Sequence, residues 1–203
     1  LKYTYGTNGL KVDIPRIVNY IDKEIMKGDI AEAKLFNPDF IIANMHWGLE
    51  YERIPSREQR ELADWLLRQG VDLVIGSHPH VVQPMELRRG KEGVTDRLVV
   101  YSLGNFISNM SREHTDGGVM VKVVLGRKGL RRYIVSAQYS LIYSSRYKNE
   151  QGKEDIRVVP AASWSGKNQN SSFSVDSALI KYVNNTRLFL KGNNKEVEEY
   201  IFE

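Results

Sequence analysis

The chain contains no cysteine, so disulfides and thiolate metal sites are excluded. No apolar run approaches the roughly 18 residues of a membrane-spanning helix, and no signal peptide is visible. No Gly-x-Ser-x-Gly, Walker or Gly-x-Gly-x-x-Gly pattern occurs, so serine hydrolase, nucleotide-binding and dinucleotide-binding functions lack support. The first residue is Leu1 rather than Met, and the chain opens directly on a strand-like segment. We therefore expect a piece cut from a longer polypeptide.

The composition is that of an ordinary soluble domain. The 203 residues are 41% hydrophobic and 27% charged, enough for a real core in one large domain or two small ones. The net charge of +4 is mild, and the basic residues concentrate in the middle of the chain. Such a stretch can attract an anionic substrate, or it can simply form solvated strand faces and turns. No aromatic interleaving or recognition helix supports nucleic acid as a partner.

The first 76 residues alternate between strand and helix patterns. Strands are expected at residues 1–5, 39–45 and 71–76. A helix is expected from Pro15 to Phe36, interrupted at Gly28. Ser56 and Gln59 form a capping box that opens a second helix, which Gly70 closes. This alternation favours an α/β fold with parallel strand pairing.

The pattern changes after residue 80. Strand-like runs at residues 81–87, 98–103, 118–125 and 133–143 are joined by short turns and predict antiparallel hairpins. Val158 and Val159 add one more short strand. Residues 161–173 have a loop-like composition. Ser174 or Asp176 is expected to cap a helix that runs through Leu190, and a short acidic helix follows.

Three of the four histidines follow two of the predicted strands. His46 comes after the apolar run at residues 40–43, and His78 and His80 come after the run at residues 71–75. In open α/β sheets, ligands collect beyond the carboxyl ends of the strands. Because neutral imidazole is a common ligand of transition metals, we expect the three side chains to converge on a metal. The alternative is a set of loop histidines that are bonded to backbone.

Four sequence blocks stand out along the chain: Tyr3–Gly9, His46-Trp47-Gly48-x-Glu50-Tyr51 with Pro55 and Gln59, Gly76–Gln83, and Tyr101–Phe106. In this order they resemble the C-terminal half of the bacterial capsule synthesis protein CapA family. These are poly-γ-glutamate biosynthesis proteins with a calcineurin-like metallophosphoesterase fold. The resemblance covers roughly residues 1–110, and from residue 115 onward it rests on strand pattern alone.

The resemblance implies the C-terminal half of a metallophosphoesterase-like α/β sandwich, in which parallel strands with helices are followed by antiparallel strands. It implies that residues 1–160 form this half-domain and residues 161–203 a loop and helical extension. His46 matches the single histidine of the family, and His78 and His80 match its His-x-His block. Divalent Mn, Fe or Zn is implied, with two ions in the full-length protein.

The early ligands of the family fold precede the matched region, so these residues amount to half an active site. We therefore expect low or no hydrolase activity from this chain alone. Three histidines without a bridging carboxylate can hold one metal. The partners expected are the N-terminal half or a second copy, which would cover an exposed apolar sheet edge or face.

Glu50, Tyr51 and Asn105 are further candidates for the active site. Glu50 and Tyr51 would supply a carboxylate near the metal and a hydroxyl contact to substrate. The alternative for Glu50 is a surface ion pair with Arg53 or Arg57. Asn105 lies after a buried strand and can line the crevice; the alternative, which the sequence favours, is a structural turn at Leu103-Gly104.

The resemblance implies a cell-envelope, extracytoplasmic protein of capsule or poly-γ-glutamate biosynthesis. Its reaction would be metal-assisted hydrolysis or transfer on an anionic polymer or its intermediates. The rival hypothesis is a non-catalytic scaffold or polymer-handling subunit of a membrane biosynthetic complex. A general phosphodiesterase unrelated to capsule is a third hypothesis.

Overall fold

The computed structural model describes residues 1–90, 96–129, 131–163 and 177–201. Three helices and nine strands occur in these ranges. The helices are α1 (Lys23–Leu35), α2 (Arg57–Gln69) and α3 (Ser177–Asn193). The strands are β1 (Lys2–Thr4), β2 (Ile42–His46), β3 (Leu73–Ser77), β4 (Met85–Arg88), β5 (Arg97–Val100), β6 (Gly117–Lys128), β7 (Arg131–Lys148), β8 (Glu154–Pro160) and β9 (Glu198–Glu199).

The first sheet is mixed and has the strand order β1-β2-β3-β5-β4. Strands β1, β2, β3 and β5 run parallel, and β4 pairs antiparallel with β5 at the edge. The register places His46, the last residue of β2, opposite Ser77, the last residue of β3. The carboxyl ends of β1, β2 and β3 therefore lie side by side.

The second sheet is built from the antiparallel strands β6, β7 and β8, and β9 adds parallel to β7. Two hydrophobic clusters separate the layers. One cluster joins β1, β2 and β3 to the inner faces of α1 and α2, with Met26, Ile30, Ala63 and Leu66 fully buried. The other cluster joins the opposite face of β3, β4 and β5 to the second sheet and α3. The molecule is thus a mixed α/β sandwich, as the sequence predicts.

Helix α2 forms as its sequence predicts. The Ser56 hydroxyl accepts from the Gln59 N–H, the Gln59 side chain accepts from the Ser56 N–H, and Gly70 ends the helix at φ 98°. The hairpins β4–β5, β6–β7 and β7–β8 are also confirmed. Ser174, Asp176 and most of the loop at 161–173 lie outside the described residues. The domain division after residue 160 stays a prediction.

The prediction of a helix from Pro15 is wrong, because α1 begins after Asp22, whose carboxylate accepts from the N–H groups of Glu24 and Ile25. Residues before Asp22 pair with the edge of the first sheet instead: the Thr4 N–H donates to the Asn19 carbonyl, and the Ile21 N–H donates to the Thr4 carbonyl. This pairing satisfies backbone groups that a helix would have to satisfy internally.

Two further expectations are corrected. Gly28 does not interrupt α1, because it lies on the exposed face of the helix, where its cost of roughly 1 kcal/mol is tolerated. The acidic segment near the C-terminus is not a helix, because Glu198–Glu199 forms β9 beside β7. Strand pairing there supplies backbone partners that so short a helix would lack.

None of the helices in the described parts of the chain is long and apolar enough to cross a membrane.

Candidate metal centre

The parallel register of β2 and β3 brings the histidines together at one end of the first sheet. His46 ends β2, and His78 follows directly after β3. The ring centroids of His46 and His78 are 4.6 Å apart, and those of His78 and His80 are 6.0 Å apart. The convergence of the three imidazoles that the sequence predicts is therefore present in the structure.

One set of potential ligand atoms is especially compact. A ring nitrogen of His78, a ring nitrogen of His80 and a carboxylate oxygen of Glu50 all lie within 4.8 Å of one another. The distance between His80 Nε2 and Glu50 Oε1 is 4.0 Å. His78 is buried, His80 is half-buried, and Glu50 is exposed. We call these three residues the His/His/Glu cluster, and His46 lies beside it.

Unusual backbone conformations aim these side chains at one another. His78 has φ 102°, His80 has φ 62° and Tyr51 has φ 68°, all in the left-handed region that residues other than glycine rarely adopt. The Tyr51 N–H donates to the Pro79 carbonyl at 2.8 Å, which joins the loop after β2 to the His78–His80 segment. Non-glycine residues in this region cluster at functional sites, where the surrounding structure holds them in place.

The loop that carries Glu50 is held by buried amide side chains. Gln59 donates from Nε2 to Gln83 Oε1 at 2.9 Å, and Gln83 donates from Nε2 to the Glu52 carbonyl at 2.8 Å. Gly48, at φ 88°, packs so tightly on the Gln59 amide that a Cβ atom would collide with it. The capping box of α2 is thereby connected to the position of Glu50.

Asn105 fixes the orientation of the His80 ring. Asn105 Nδ2 donates to the Thr115 carbonyl at 2.9 Å, and Asn105 Oδ1 lies 3.0 Å from His80 Nδ1. Because Oδ1 can only accept, the His80 ring donates from Nδ1, and in its neutral form it keeps the lone pair on Nε2. That is the nitrogen that faces Glu50. Outer contacts of this kind orient metal-binding imidazoles in proteins.

The electrostatics favour neutral imidazoles at His46 and His78. Burial lowers the pKa of His46, with smaller contributions from the positive charges of His80 and Lys2. Burial also lowers the pKa of His78, and His46 adds to the effect. Neutral rings offer lone pairs to a metal, whereas protonated rings do not.

Tyr5 is a site residue that sequence reasoning missed. Its ring stacks on His46 at 5.8 Å between centroids and tilts against His78 at 4.4 Å. The available signal was its position directly after β1, which runs parallel to β2 and ends beside it.

The structure also settles the surroundings of the other candidates. Tyr51 stacks on His80 with 6.1 Å between ring centroids. Arg57 pairs with Glu61, and Arg53 lies over the Phe189 ring, so neither alternative ion pair for Glu50 is present. The six candidates are therefore linked by pairwise contacts, since Glu50, Tyr51, Asn105 and His78 each lie against His80, and His46 lies against His78. Their roles in catalysis and metal binding stay predictions.

The donor set fits a divalent metal. Two imidazoles and one carboxylate are ligands typical of Zn, Mn and Fe sites. In the described part of the chain the cluster holds a single carboxylate, Glu50. The cluster can hold a metal ion.

Comparisons with known proteins agree with the sequence blocks. The family model for the bacterial capsule synthesis protein PGA_cap matches residues 2–110. The chain is 35% identical over 115 residues to the PGA biosynthesis protein CapA of Bacillus subtilis (strain 168), covering 57% of this chain and 28% of that protein. It is also 35% identical over 107 residues to the capsule biosynthesis protein CapA of Bacillus anthracis, covering 53% of this chain and 24% of that protein. The aligned region thus spans about a quarter of the length of each curated relative.

Proposed function

The chain belongs to the bacterial capsule synthesis protein family PGA_cap, and on that premise we propose that its His/His/Glu cluster binds a divalent transition metal, Mn, Fe or Zn. The bound metal would serve hydrolysis or transfer on an anionic polymer or its intermediates. The observation that carries this proposal is the approach of the Glu50, His78 and His80 ligand atoms to within 4.8 Å of one another.

A divalent metal held there would supply Lewis-acid polarisation of a substrate oxygen and would make water more acidic near neutral pH. The protein residues would have separate tasks. Asn105 would hold His80 in the tautomer that presents Nε2 to the metal. Tyr5 would pack His46 and His78 into place. Tyr51, beside His80, would offer its hydroxyl to the substrate.

The polymer that we propose is poly-γ-glutamate, and the location is the extracytoplasmic side of the cell envelope. The support is the name of the Bacillus subtilis relative, a PGA biosynthesis protein, and that of the Bacillus anthracis relative, a capsule biosynthesis protein. A second metal ion is our proposal for the whole protein, with the remaining ligands supplied by other parts of the polypeptide.

Metal titration by calorimetry tests the cluster directly, with Mn²⁺ and Zn²⁺ at pH 7.5. We expect His78→Ala, His80→Ala and Glu50→Gln each to weaken binding by at least about tenfold, because each removes one ligand. His114→Asn is the matched control, since His114 is the histidine that does not contact the cluster and asparagine tolerates its backbone at φ 68°. Wild-type affinity in His78→Ala, or an equal loss in His114→Asn, would contradict the proposal.

Activity is tested on a chromogenic phosphodiester and on a γ-linked glutamate oligomer with Mn²⁺ supplied. We expect low turnover from the 203-residue chain and higher turnover from a polypeptide extended toward the length of the Bacillus relatives. Robust and equal turnover in both would show that our account of the ligands is wrong. Metal binding without turnover in either polypeptide would favour the non-catalytic scaffold.

A further inference from the structure

Arg112 lies next to the candidate metal centre without belonging to it. Its guanidinium carbon is 4.0 Å from the centroid of the Tyr51 ring. The Tyr51 ring in turn stacks on His80 at an interplanar angle of 26°. Tyr51 therefore contacts both the guanidinium of Arg112 and a proposed metal ligand, His80.

The backbone of Arg112 is fixed relative to His80. The Thr115 N–H and hydroxyl both donate to the Arg112 carbonyl, at 3.1 and 2.6 Å. The Thr115 carbonyl accepts from Asn105, whose other amide atom contacts His80. The residue that orients His80 thus also fixes the turn from which the Arg112 side chain extends.

In the described part of the chain, the positive charge of Arg112 is not paired with a carboxylate. No carboxylate there lies within ion-pair distance of its guanidinium, although the adjacent Glu113 pairs with Lys181 at 3.6 Å. Arg88, Arg89 and Arg97, by contrast, each pair with an aspartate. Arg112 is exposed, and its edge N–H groups can bind an anion while its face rests on Tyr51.

We propose that Arg112 is a specificity-determining residue that binds an anionic group of the substrate beside the His/His/Glu cluster. This inference rests on the proposed function and specifies its substrate class. The planar guanidinium matches two oxygens of a carboxylate or of a phosphate, and its contact with Tyr51 keeps it preorganised. A group bound by Arg112 would therefore lie near Tyr51, the residue whose ring also contacts His80.

The test measures binding of two probes at fixed ionic strength, a γ-linked glutamate oligomer and a linear polyphosphate of similar charge. We expect Arg112→Ala to weaken binding of at least one probe by about tenfold, the loss of a charge-assisted contact. Arg112→Lys should recover only part of the affinity, because an ammonium group cannot form the two-pronged contact. A larger loss with the glutamate oligomer assigns a carboxylate, and a larger loss with polyphosphate assigns a phosphate.

Arg68→Ala is the matched control, because Arg68 is an exposed arginine in the last turn of α2, at the opposite end from its Ser56 cap. It should bind both probes like the wild type. Arg112→Ala should keep the wild-type Mn²⁺ affinity and unfolding temperature, which separates anion recognition from a role in holding the site together. Wild-type probe binding by Arg112→Ala, an equal loss in Arg68→Ala, or a wild type that binds neither probe would overturn the inference.

The experiments distinguish failure of the proposed metal site from failure of the proposed anion contact of Arg112. If His78→Ala keeps its metal while Arg112→Ala loses probe binding, the metal assignment fails and the anion contact stands. If His78→Ala loses its metal while Arg112→Ala binds both probes normally, the metal assignment stands and the anion contact fails.

Discussion

The side-chain amide of Asn105 has two hydrogen-bond partners, one for its NH₂ group and one for its oxygen. The Thr115 carbonyl requires the NH₂ group on one side, which leaves the oxygen for the His80 ring. A single side chain thereby determines which nitrogen of His80 carries the proton. This coupling is lost if the amide is removed, even though Asn105 itself is not a proposed ligand.

We predict that Asn105→Ala weakens Mn²⁺ binding by about tenfold to a hundredfold, because the His80 ring is no longer held in the ligating tautomer. Calorimetric titration measures the change. Asn184→Ala, at an exposed position on α3, is the control and should bind like the wild type. Unchanged affinity in Asn105→Ala would show that His80 is oriented by something else.

His114 provides a pH dependence that does not involve the cluster. Burial lowers its pKa, and the positive charges of Arg53 and Lys181 add to the effect while Glu113 and Asp116 oppose it. The unfolded chain, with a histidine pKa of about 6.5, therefore binds more protons than the folded chain just below that pH. The contribution of His114 to the free energy of unfolding has its full value above about pH 6.5. It decreases as the pH drops toward the lowered pKa of His114 in the folded chain.

We predict that the unfolding temperature of the wild type falls more steeply between pH 7.5 and pH 5 than that of His114→Asn. Asparagine tolerates the left-handed backbone of this position, at φ 68°, so the comparison isolates the charge. Thermal unfolding followed by circular dichroism gives both profiles. Parallel profiles would mean that His114 titrates alike in the folded and unfolded chains.

At the scale of the elements, Asp72 joins the starts of three strands. Its side chain is 3% exposed, accepts from the Ile41 N–H at 2.8 Å before β2, and pairs with Arg97 of β5 at 2.7 Å. The residue itself immediately precedes β3. The strand ends that carry the histidines are at the other end of the same parallel strands.

We predict that Asp72→Ala lowers the free energy of unfolding by about 3 kcal/mol, because it leaves buried donors without their acceptor. Asp64→Ala is the matched control: Asp64 pairs with Arg88 at 2.7 Å, but its side chain is 44% exposed. An exposed pair contributes less than about 1 kcal/mol. Urea denaturation gives both values, and equal losses would contradict the role of burial.

The sequence predicts the elements whose signals are local. The Ser56–Gln59 capping box and Gly70 define α2 at both ends, and the apolar runs before His46 and His78 predict adjacent parallel strands. The Pro15 segment could not be predicted in this way, because its partners are backbone groups of Thr4 that only the folded sheet brings near. The acidic segment near the C-terminus is similar, since β9 depends on the distant strand β7.

The same distinction, between local signals and contacts made only in the folded chain, applies to the candidate site. Strand-end placement predicts the convergence of His46, His78 and His80. The approach of Tyr5 and the double contact of Asn105 depend on side-chain packing between segments that lie far apart in the chain. The pattern of residues within one segment does not predict such contacts, because they depend on how the strands pair in the folded sheet.

At the scale of the whole molecule, the second sheet covers only part of the first. Strand β2 turns Ile42, which is 40% exposed, toward an open groove of about 670 Å³ whose lining is mainly apolar. Met120 and Leu125 of β6 line the same groove at 37% and 39% exposure. Contiguous exposed apolar surface of this kind favours association.

We predict that the chain sediments as a species larger than the monomer at micromolar concentration, and that the double variant Met120→Lys, Leu125→Lys is monomeric. Lysine side chains in the groove would oppose burial of the face against a second copy. Leu188→Lys, at a position on α3 that is 76% exposed, should leave the association unchanged. A stable wild-type monomer would show that this face needs no cover.

The left-handed backbone conformation of Tyr51, His78 and His80 lowers folding stability, while the side chains at these positions serve the proposed function. Such conformations at residues other than glycine cost of order 1 kcal/mol each, and glycine would adopt them without that penalty. Selection for thermal stability alone should therefore drift toward glycine at these positions and abolish metal binding as it does so. Selection for the activity should keep the side chains and recover stability elsewhere. A library varied at these three positions and sorted separately for the two properties should yield opposite residues.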